Sequence, residues 1–371
     1  MAPLHSMDEP ETLIALGQKL LAWYERHQRD LPWRHTRDPY AIWVAEIMLQ
    51  QTRTTTAAGY YLRFLELFPT VRALAAASLN DVLKAWEGLG YYARARNLHR
   101  AARQIVGERD GLLPTDPDAL LELPGIGRYT AAAIASIAFG HDAVALDGNL
   151  QRVLCRLFAV DDDPGRPNTQ RLLERLAMAM LPPGRAGDFN QALMDLGSSI
   201  CTPTSPRCLL CPLIADCEAK QEGIEELLPI RATRTHRPER DVTAGVIWNG
   251  DGHLLITQRP LDGMLGGLWE FPGGKRRPGE ELSACLQREI MEELAIEIQV
   301  KELLVRVQHS FTHFNMTLYA FDCLWLSGKP QCLGCTDLRW VELHELDAFP
   351  FPVADQKIIA FLRGQSPDSS L

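Results

Sequence analysis

Near residue 227 the sequence changes its periodicity, and that change limits what the chain can fold into more than any other feature. From residue 12 to about 225, apolar residues recur at helical spacing, as Leu13, Leu16, Leu20 and Tyr24 do. Proline and glycine punctuate these runs at Pro69, Gly88, Gly90, Pro114, Pro124 and residues 182–184. The segment "AIWVAEIMLQQTRTTTAAGYYLRFLELF" (41–68) predicts one long, mostly apolar helical stretch. Then "LLPIRATRTHRPERD" (227–241) brings two prolines and four arginines with little periodicity, and reads as a linker. Beyond it come short β-rich runs, "VTAGVIW", "HLLITQR", "TLYAFDCLWL" and "LRWVEL", around one helix at about 281–294. Leu282, Leu286, Ile290 and Leu294 line that helix at four-residue intervals. The expectation is multidomain: an all-α domain over 1–226, a linker over 227–240, an α/β domain over 241–365 and a disordered tail over 366–371.

Composition narrows the function classes. The 371 residues suit two domains, and 46% hydrophobic with 23% charged residues is ordinary for a globular protein. No apolar run is long enough to span a bilayer, and "MAPLHSMDEP" lacks a basic region followed by an apolar one, so a cytoplasmic location is expected. Nine cysteines there point to reduced thiols or metal ligands. The net charge is −9, and residues 1–225 carry 23 Lys and Arg against 27 Asp and Glu. Bulk charge therefore does not advertise nucleic-acid binding. Any such contact must come from local clusters such as "YYARARNLHRAAR" (91–103), whose arginines equally describe a solvated helix face.

Several constellations carry chemistry. Cys201, Cys208, Cys211 and Cys217 crowd four thiols into 17 residues as C-x6-C-x2-C-x5-C, a spacing that suits zinc or a [4Fe–4S] cluster alike. Cys332 and Cys335 form a lone C-x-x-C without partners, read as two ordinary cysteines. "LELPGIGRYTAAAIASIAFG" (121–140) reads as a glycine hairpin before a helix, where Gly125 and Gly127 let backbone amides approach a phosphate. Asp147 sits at a loop-to-helix junction, the usual place of an N-cap. Glu46 lies among Trp43, Val44, Ile47 and Met48, where burial would disfavour its charged form and suit a proton donor. Glu289, Glu292 and Glu293 share one helix face and would repel one another unless a cation such as Mg²⁺ intervened.

Together these residues resemble the helix–hairpin–helix superfamily of endonuclease III and the adenine DNA glycosylases. The cysteine run resembles that family's cluster loop, which implies [4Fe–4S]. "LPGIGRYTA" resembles its hairpin, which grips DNA phosphate without reading sequence. The resemblance implies that Glu46 is the essential acid, that Asp147 is catalytic and that Asn149 supports the site. It also implies that Gln50 and Gln51 push into the DNA stack, and that Arg34 and Tyr91 face DNA. Tyr129 stands where the lyase branch has its Schiff-base lysine, so a glycosylase without lyase activity is expected. The stretch from Gly274 to Ile296 resembles the Nudix box, departing from it only at Ala295 in place of glycine. In adenine glycosylases such a domain recognises 8-oxoguanine, and "QHSFTHFNM" (308–316) resembles the loop that does so, through Phe311, Thr312 and His313. The expected substrate is duplex DNA with adenine opposite 8-oxoguanine or guanine. A monomer is expected, nucleoid-associated, handing its abasic product to an endonuclease. Hydrolysis of 8-oxo-dGTP with Mg²⁺ is the alternative that the nearly intact box keeps open.

Overall fold

The computed structural model describes residues 10–230 and 237–365. The centre of the expected linker (231–236) and the expected tail (366–371) lie outside the described residues. Two compact units emerge: residues 10–75 with 100–230, and residues 76–99 with 237–365.

All regular structure described in the first unit is helical. The predicted stretch at 41–68 is not one helix. It divides into Pro39–Leu49 and Thr54–Leu67, because Gln50 leaves the helix with ψ 110° and Gln51 takes φ 60°. Asp38 starts the first of these by accepting the Tyr40 amide, and Pro39 fits the first helical turn. Every residue from Tyr40 to Met48 is buried, so this is a central helix of the unit rather than an amphipathic one. A second core joins Leu16 and Leu20 to Leu150, Leu154, Phe189 and Leu193, drawing on the helices Pro10–His27, Gly148–Leu157 and Ala186–Ser199.

The second unit holds a mixed sheet of β1 (Glu239–Trp248), β2 (Leu254–Gln258), β3 (Trp269–Glu270), β4 (Gly273–Lys275), β5 (Glu297–Ser310), β6 (Asn315–Ser327) and β7 (Asp337–Val341). The order β3-β2-β1-β6-β5 runs through the sheet, with β4 on β1 and β7 on β2. β1 and β6 are parallel from Glu239↔Asn315 to Trp248↔Leu324. Alternation sends neighbours to opposite faces. Val246, Leu254 and Ile256 join Ile358 of the Val353–Leu362 helix in one core. Ile247 and Leu255 join Leu286, Ile290 and Leu294 of the Leu282–Leu294 helix in another. The four expected strands and the expected helix are all present. β5 was not legible, since register shifts between Val300 and Leu303 and between Leu303 and Val305 break its alternation.

Residues 76–99 belong to this unit through side-chain bonds. Asn80 Nδ2 and Lys84 Nζ donate to the carbonyls of Ala348 and Phe349 at 3.2 and 3.1 Å. Glu87 Oε1 accepts the Phe351 amide at 2.8 Å, and Arg96 Nη1 donates to Gly266 O at 2.8 Å.

Candidate active site

Glu46 occupies the last turns of the Pro39–Leu49 helix and is 4% exposed. Burial lifts its carboxyl to about 7, against a hydrogen bond from Tyr129 that lowers it; Asp147 adds to the rise and Arg34 opposes it. Tyr129 Oη donates to Glu46 Oε2 at 2.8 Å, and Met194 Sδ lies 3.9 Å from the same hydroxyl. Burial and the neighbouring acids push the Tyr129 phenol well above its ordinary value, so it stays a neutral donor.

Asp147 is an N-cap, as its position in the sequence suggested. Its Oδ1 accepts the amides of Asn149 and Leu150 at 2.8 and 2.7 Å, and its Oδ2 accepts Asn149 Nδ2 at 2.8 Å. Burial raises this carboxyl, and the three capping bonds and Arg152 pull it back. Three donors fix its oxygens, while its charge reaches Glu46. The pair therefore offers an acid that keeps its proton near neutral pH and a second carboxylate held in one orientation, the two-carboxylate arrangement that suits cleavage of a glycosidic bond.

A buried arginine ties the second carboxylate to the cysteine loop. Arg152 Nη2 donates to Asn149 Oδ1 at 2.9 Å and to Gly197 O at 2.6 Å, while its Nε donates to Cys201 O at 2.8 Å. One turn on, Arg156 donates to Thr202 O at 2.7 Å and to Cys201 Sγ at 3.4 Å. Cys211 feels Cys201, Cys217 and Cys208 electrostatically, and burial pushes its thiol up to about 12. Yet among the described residues no three His, Cys, Asp or Glu side chains close around a single ion. Tetrahedral zinc requires that convergence, whereas a [4Fe–4S] cluster binds each thiolate to a different iron and spreads them. Cys211 and the three thiols within its electrostatic reach, with Cys201 accepting from a guanidinium, are a donor set of the kind an iron–sulfur cluster takes.

The hairpin lies at the surface. Gly125 takes φ 81°, a conformation that resists a side chain, and Gly127 caps the Arg128–Phe139 helix without any side-chain acceptor. The amides that open this helix thus meet no capping group from the residue before them. Gln50 Nε2 donates to Thr130 Oγ1 at 3.0 Å, joining the break after Leu49 to the residue beside Tyr129. Gln51 is exposed at that break. Arg34 is held by Asp195 at 2.6 Å and sends its charge toward Glu46.

The structure thus gathers Glu46, Tyr129, Asp147, Asn149 and Arg34, and leaves Gln51, Gly125 and Gly127 on the surface of the first unit. Tyr91 lies in the second unit, at φ 49°, and its hydroxyl meets Thr312 Oγ1 at 2.7 Å. Phe311 packs between His309 and Phe314 at 4.6 and 4.8 Å, leaving Thr312 and His313 exposed. Sequence reading missed Asp195, Met194, Arg152 and Arg156. An acid standing alone in the apolar run "NQALMDLG" was the available signal for Asp195.

The box helix answers its charge problem internally. Arg288 binds Glu280 at 2.7 Å, Glu289 at 2.8 Å and Glu292 at 3.2 Å. Burial, helped by Glu270 and Glu289, raises Glu293 to about 7. Arg288 offsets part of the charge that the spacing assigned to Mg²⁺, and leaves Glu293 among Glu270, Glu289 and Glu292. Ala295 adopts the left-handed conformation at φ 55° that the box reserves for glycine.

Comparison with known proteins identifies both parts of the chain. Residues 44–178 match the family described as HhH-GPD superfamily base excision DNA repair protein, and residues 243–361 match the NUDIX domain. Adenine DNA glycosylase of Homo sapiens is 34% identical, over 99% of this chain and 77% of that protein. Adenine DNA glycosylase of Buchnera aphidicola subsp. Baizongia pistaciae (strain Bp) is 37% identical, over 95% of this chain and 98% of that protein. A thermostable thymine-DNA glycosylase structure superposes with a TM-score of 0.53 at 30% identity, over 57% of this chain and 98% of that one. An endonuclease III–DNA complex shares the fold, with a TM-score of 0.50 at 23% identity, over 59% of this chain and 99% of that one. The paired acid, the hairpin, the cysteine loop and the Nudix-like sheet belong to one recognisable whole, and the chain is a member of the adenine DNA glycosylase family.

Proposed function

We propose that this adenine DNA glycosylase removes adenine standing opposite 8-oxoguanine or guanine in duplex DNA, by hydrolysis and without lyase action. The observation that carries the reading is a buried Glu46, raised to about 7 and hydrogen-bonded to Tyr129, within electrostatic reach of Asp147. Adenine must leave the stack before its glycosidic bond is accessible. Glu46 then protonates the purine at N7, making it a better leaving group. Asp147, fixed by its capping bonds, stabilises the positive charge that develops at C1′. Water completes the reaction and leaves an abasic site. Tyr129 keeps the Glu46 carboxyl oriented and offers no amine with which to form an imine.

Supporting roles follow from exposure. Gly125 and Gly127 present the hairpin amides to DNA phosphate, and Gln50 and Gln51 line the approach to the site, whereas Arg34, expected to face DNA, is 7% exposed and held by Asp195, and acts from beneath the site. Cys201, Cys208, Cys211 and Cys217 hold a [4Fe–4S] cluster, which when bound cross-links the loop that Arg152 and Arg156 join to the rest of the unit. In the second unit, Thr312, His313 and Phe311 with Tyr91 read the lesion, and Arg288 gives the box a structural role rather than a hydrolytic one. The protein acts as a monomer, cytoplasmic and nucleoid-associated.

Asp147→Asn tests the reading. The amide keeps an oxygen for the Asn149 and Leu150 amides but removes the charge, so adenine release should fall by about 10²–10⁴-fold while mispair binding stays within a few-fold. Borohydride added during wild-type turnover should trap no covalent DNA complex. Full turnover by Asp147→Asn, or a trapped complex, would contradict it.

A further inference from the structure

Asp195 is 1% exposed in the Ala186–Ser199 helix, amid buried Ala192, Leu193 and Leu196. A carboxylate this deep is costly unless its charge and lone pairs are met. Its Oδ1 accepts Arg29 Nε at 2.6 Å, and its Oδ2 accepts Arg34 Nη1 at 2.6 Å and the Arg29 amide at 3.2 Å. Arg34 Nη1 also donates to Arg29 O at 2.9 Å. One side chain therefore pins the segment that carries both arginines. Arg34 is itself 7% exposed, lies 5.4 Å from the Tyr24 ring centre, and keeps a buried Nε without a partner among the described residues.

The pinning bears on the reaction because the charge of Arg34 reaches Glu46 and favours its ionised form. An ionised Glu46 has no proton to give. Tyr129 and Asp147 also act on Glu46, while Asp195, Asp188 and Arg37 act with Arg34 around Tyr24. Met194, next to Asp195 on the same helix, reaches the Tyr129 hydroxyl at 3.9 Å. We propose that Asp195 is a positioning residue for base excision, whose carboxylate fixes Arg29 and Arg34 and offsets the Arg34 charge that reaches Glu46. The proposal rests on Glu46 being the proton donor.

The test is the pH profile of single-turnover adenine release by the full chain. Wild type should lose activity along an alkaline limb near pH 7, where Glu46 ionises. Asp195→Asn leaves the arginine charge uncancelled, so the limb should move down by about one pH unit, a roughly tenfold loss at about pH 8 with little change at about pH 5.5. Arg34→Gln removes the positive charge that reaches Glu46, while Arg29 still pairs with Asp195, and should move the limb up. General structural damage would lower the rate by one factor at every pH and could not shift the limb in opposite directions. If circular dichroism shows Asp195→Asn unfolded, Arg34→Gln and the charge-keeping Asp195→Glu carry the test, the first displacing the limb upward and the second leaving it in place. A limb that no variant displaces overturns the role of Asp195 alone. A wild-type profile without the limb overturns the assignment of Glu46, and this proposal with it.

Discussion

Burial lifts Glu46 to about 7, and the same burial has a consequence for stability. The folded value lies above the ordinary 4.5, so this group's contribution to stability is fully present below that value and is lost as pH rises through about 7. Glu46→Gln cannot ionise and escapes that loss. The variant should be more stable than wild type by about 3 kcal/mol at about pH 8 and equal to it near pH 4, as measured by denaturant unfolding at the two pH values. An active-site residue whose replacement stabilises the fold is one the fold does not require for itself. At this scale the sequence was informative where a residue contradicted its neighbours. A glutamate among Trp43, Val44, Ile47 and Met48 announces burial, and Asp147 before Gly148 announces a cap. Asp195 contradicts its neighbours equally, but the partners that explain it, Arg29 and Arg34, lie 166 and 161 residues away. Nothing in the local pattern names them.

Helix ends place the functional groups. The break at residues 50–53 turns one apolar run into two helices and exposes Gln51, an outcome that apolar periodicity alone does not register, although the β-branched Thr52, Thr54, Thr55 and Thr56 beside it are poor helix formers. At the hairpin, the two glycines answer to different demands. A Cβ at Gly127 would meet nothing within 4 Å, and its φ of −98° is open to any residue. Gly127→Ala should thus fold with stability within about 0.5 kcal/mol of wild type, yet weaken duplex binding several-fold by placing a methyl group where the phosphate approaches. Gly125→Ala, at φ 81°, should cost about 1 kcal/mol of stability as well. Paired melting and duplex-affinity measurements separate the two, and equal affinity for Gly127→Ala and wild type would remove the hairpin from the DNA interface. At the end of the box helix, Ala295 holds φ 55°. Ala295→Gly should relieve that strain and stabilise the second unit by about 1 kcal/mol, and a lowered midpoint in urea would contradict the strain.

Across the whole molecule, the change of periodicity near residue 227 made an all-α and an α/β part legible, and four of the strands and the helix between Val242 and Val341 follow from their apolar patterning. Alternation fails where β5 slips register against β6, and a local reading has no means of joining residues 76–99 to residues 237–365, because those bonds are made by side chains far apart in sequence. That joining sets the Tyr91 hydroxyl 2.7 Å from Thr312. Net charge was a poor guide: at −9 the chain carries no basic field, yet it belongs to a family of DNA glycosylases.

The measurement that bears most directly on this account is single-turnover release of adenine by wild type and by Glu46→Gln. Each would receive duplexes carrying adenine opposite 8-oxoguanine and opposite guanine and, separately, 8-oxo-dGTP with Mg²⁺. The account predicts that wild type releases adenine, faster opposite 8-oxoguanine. It also predicts that Glu46→Gln binds both duplexes but releases adenine at least about 10²-fold more slowly, and that the nucleotide stays intact with either protein. Undiminished release by Glu46→Gln would contradict the acid assigned here, and hydrolysis of 8-oxo-dGTP would contradict the role given to Arg288 and the box.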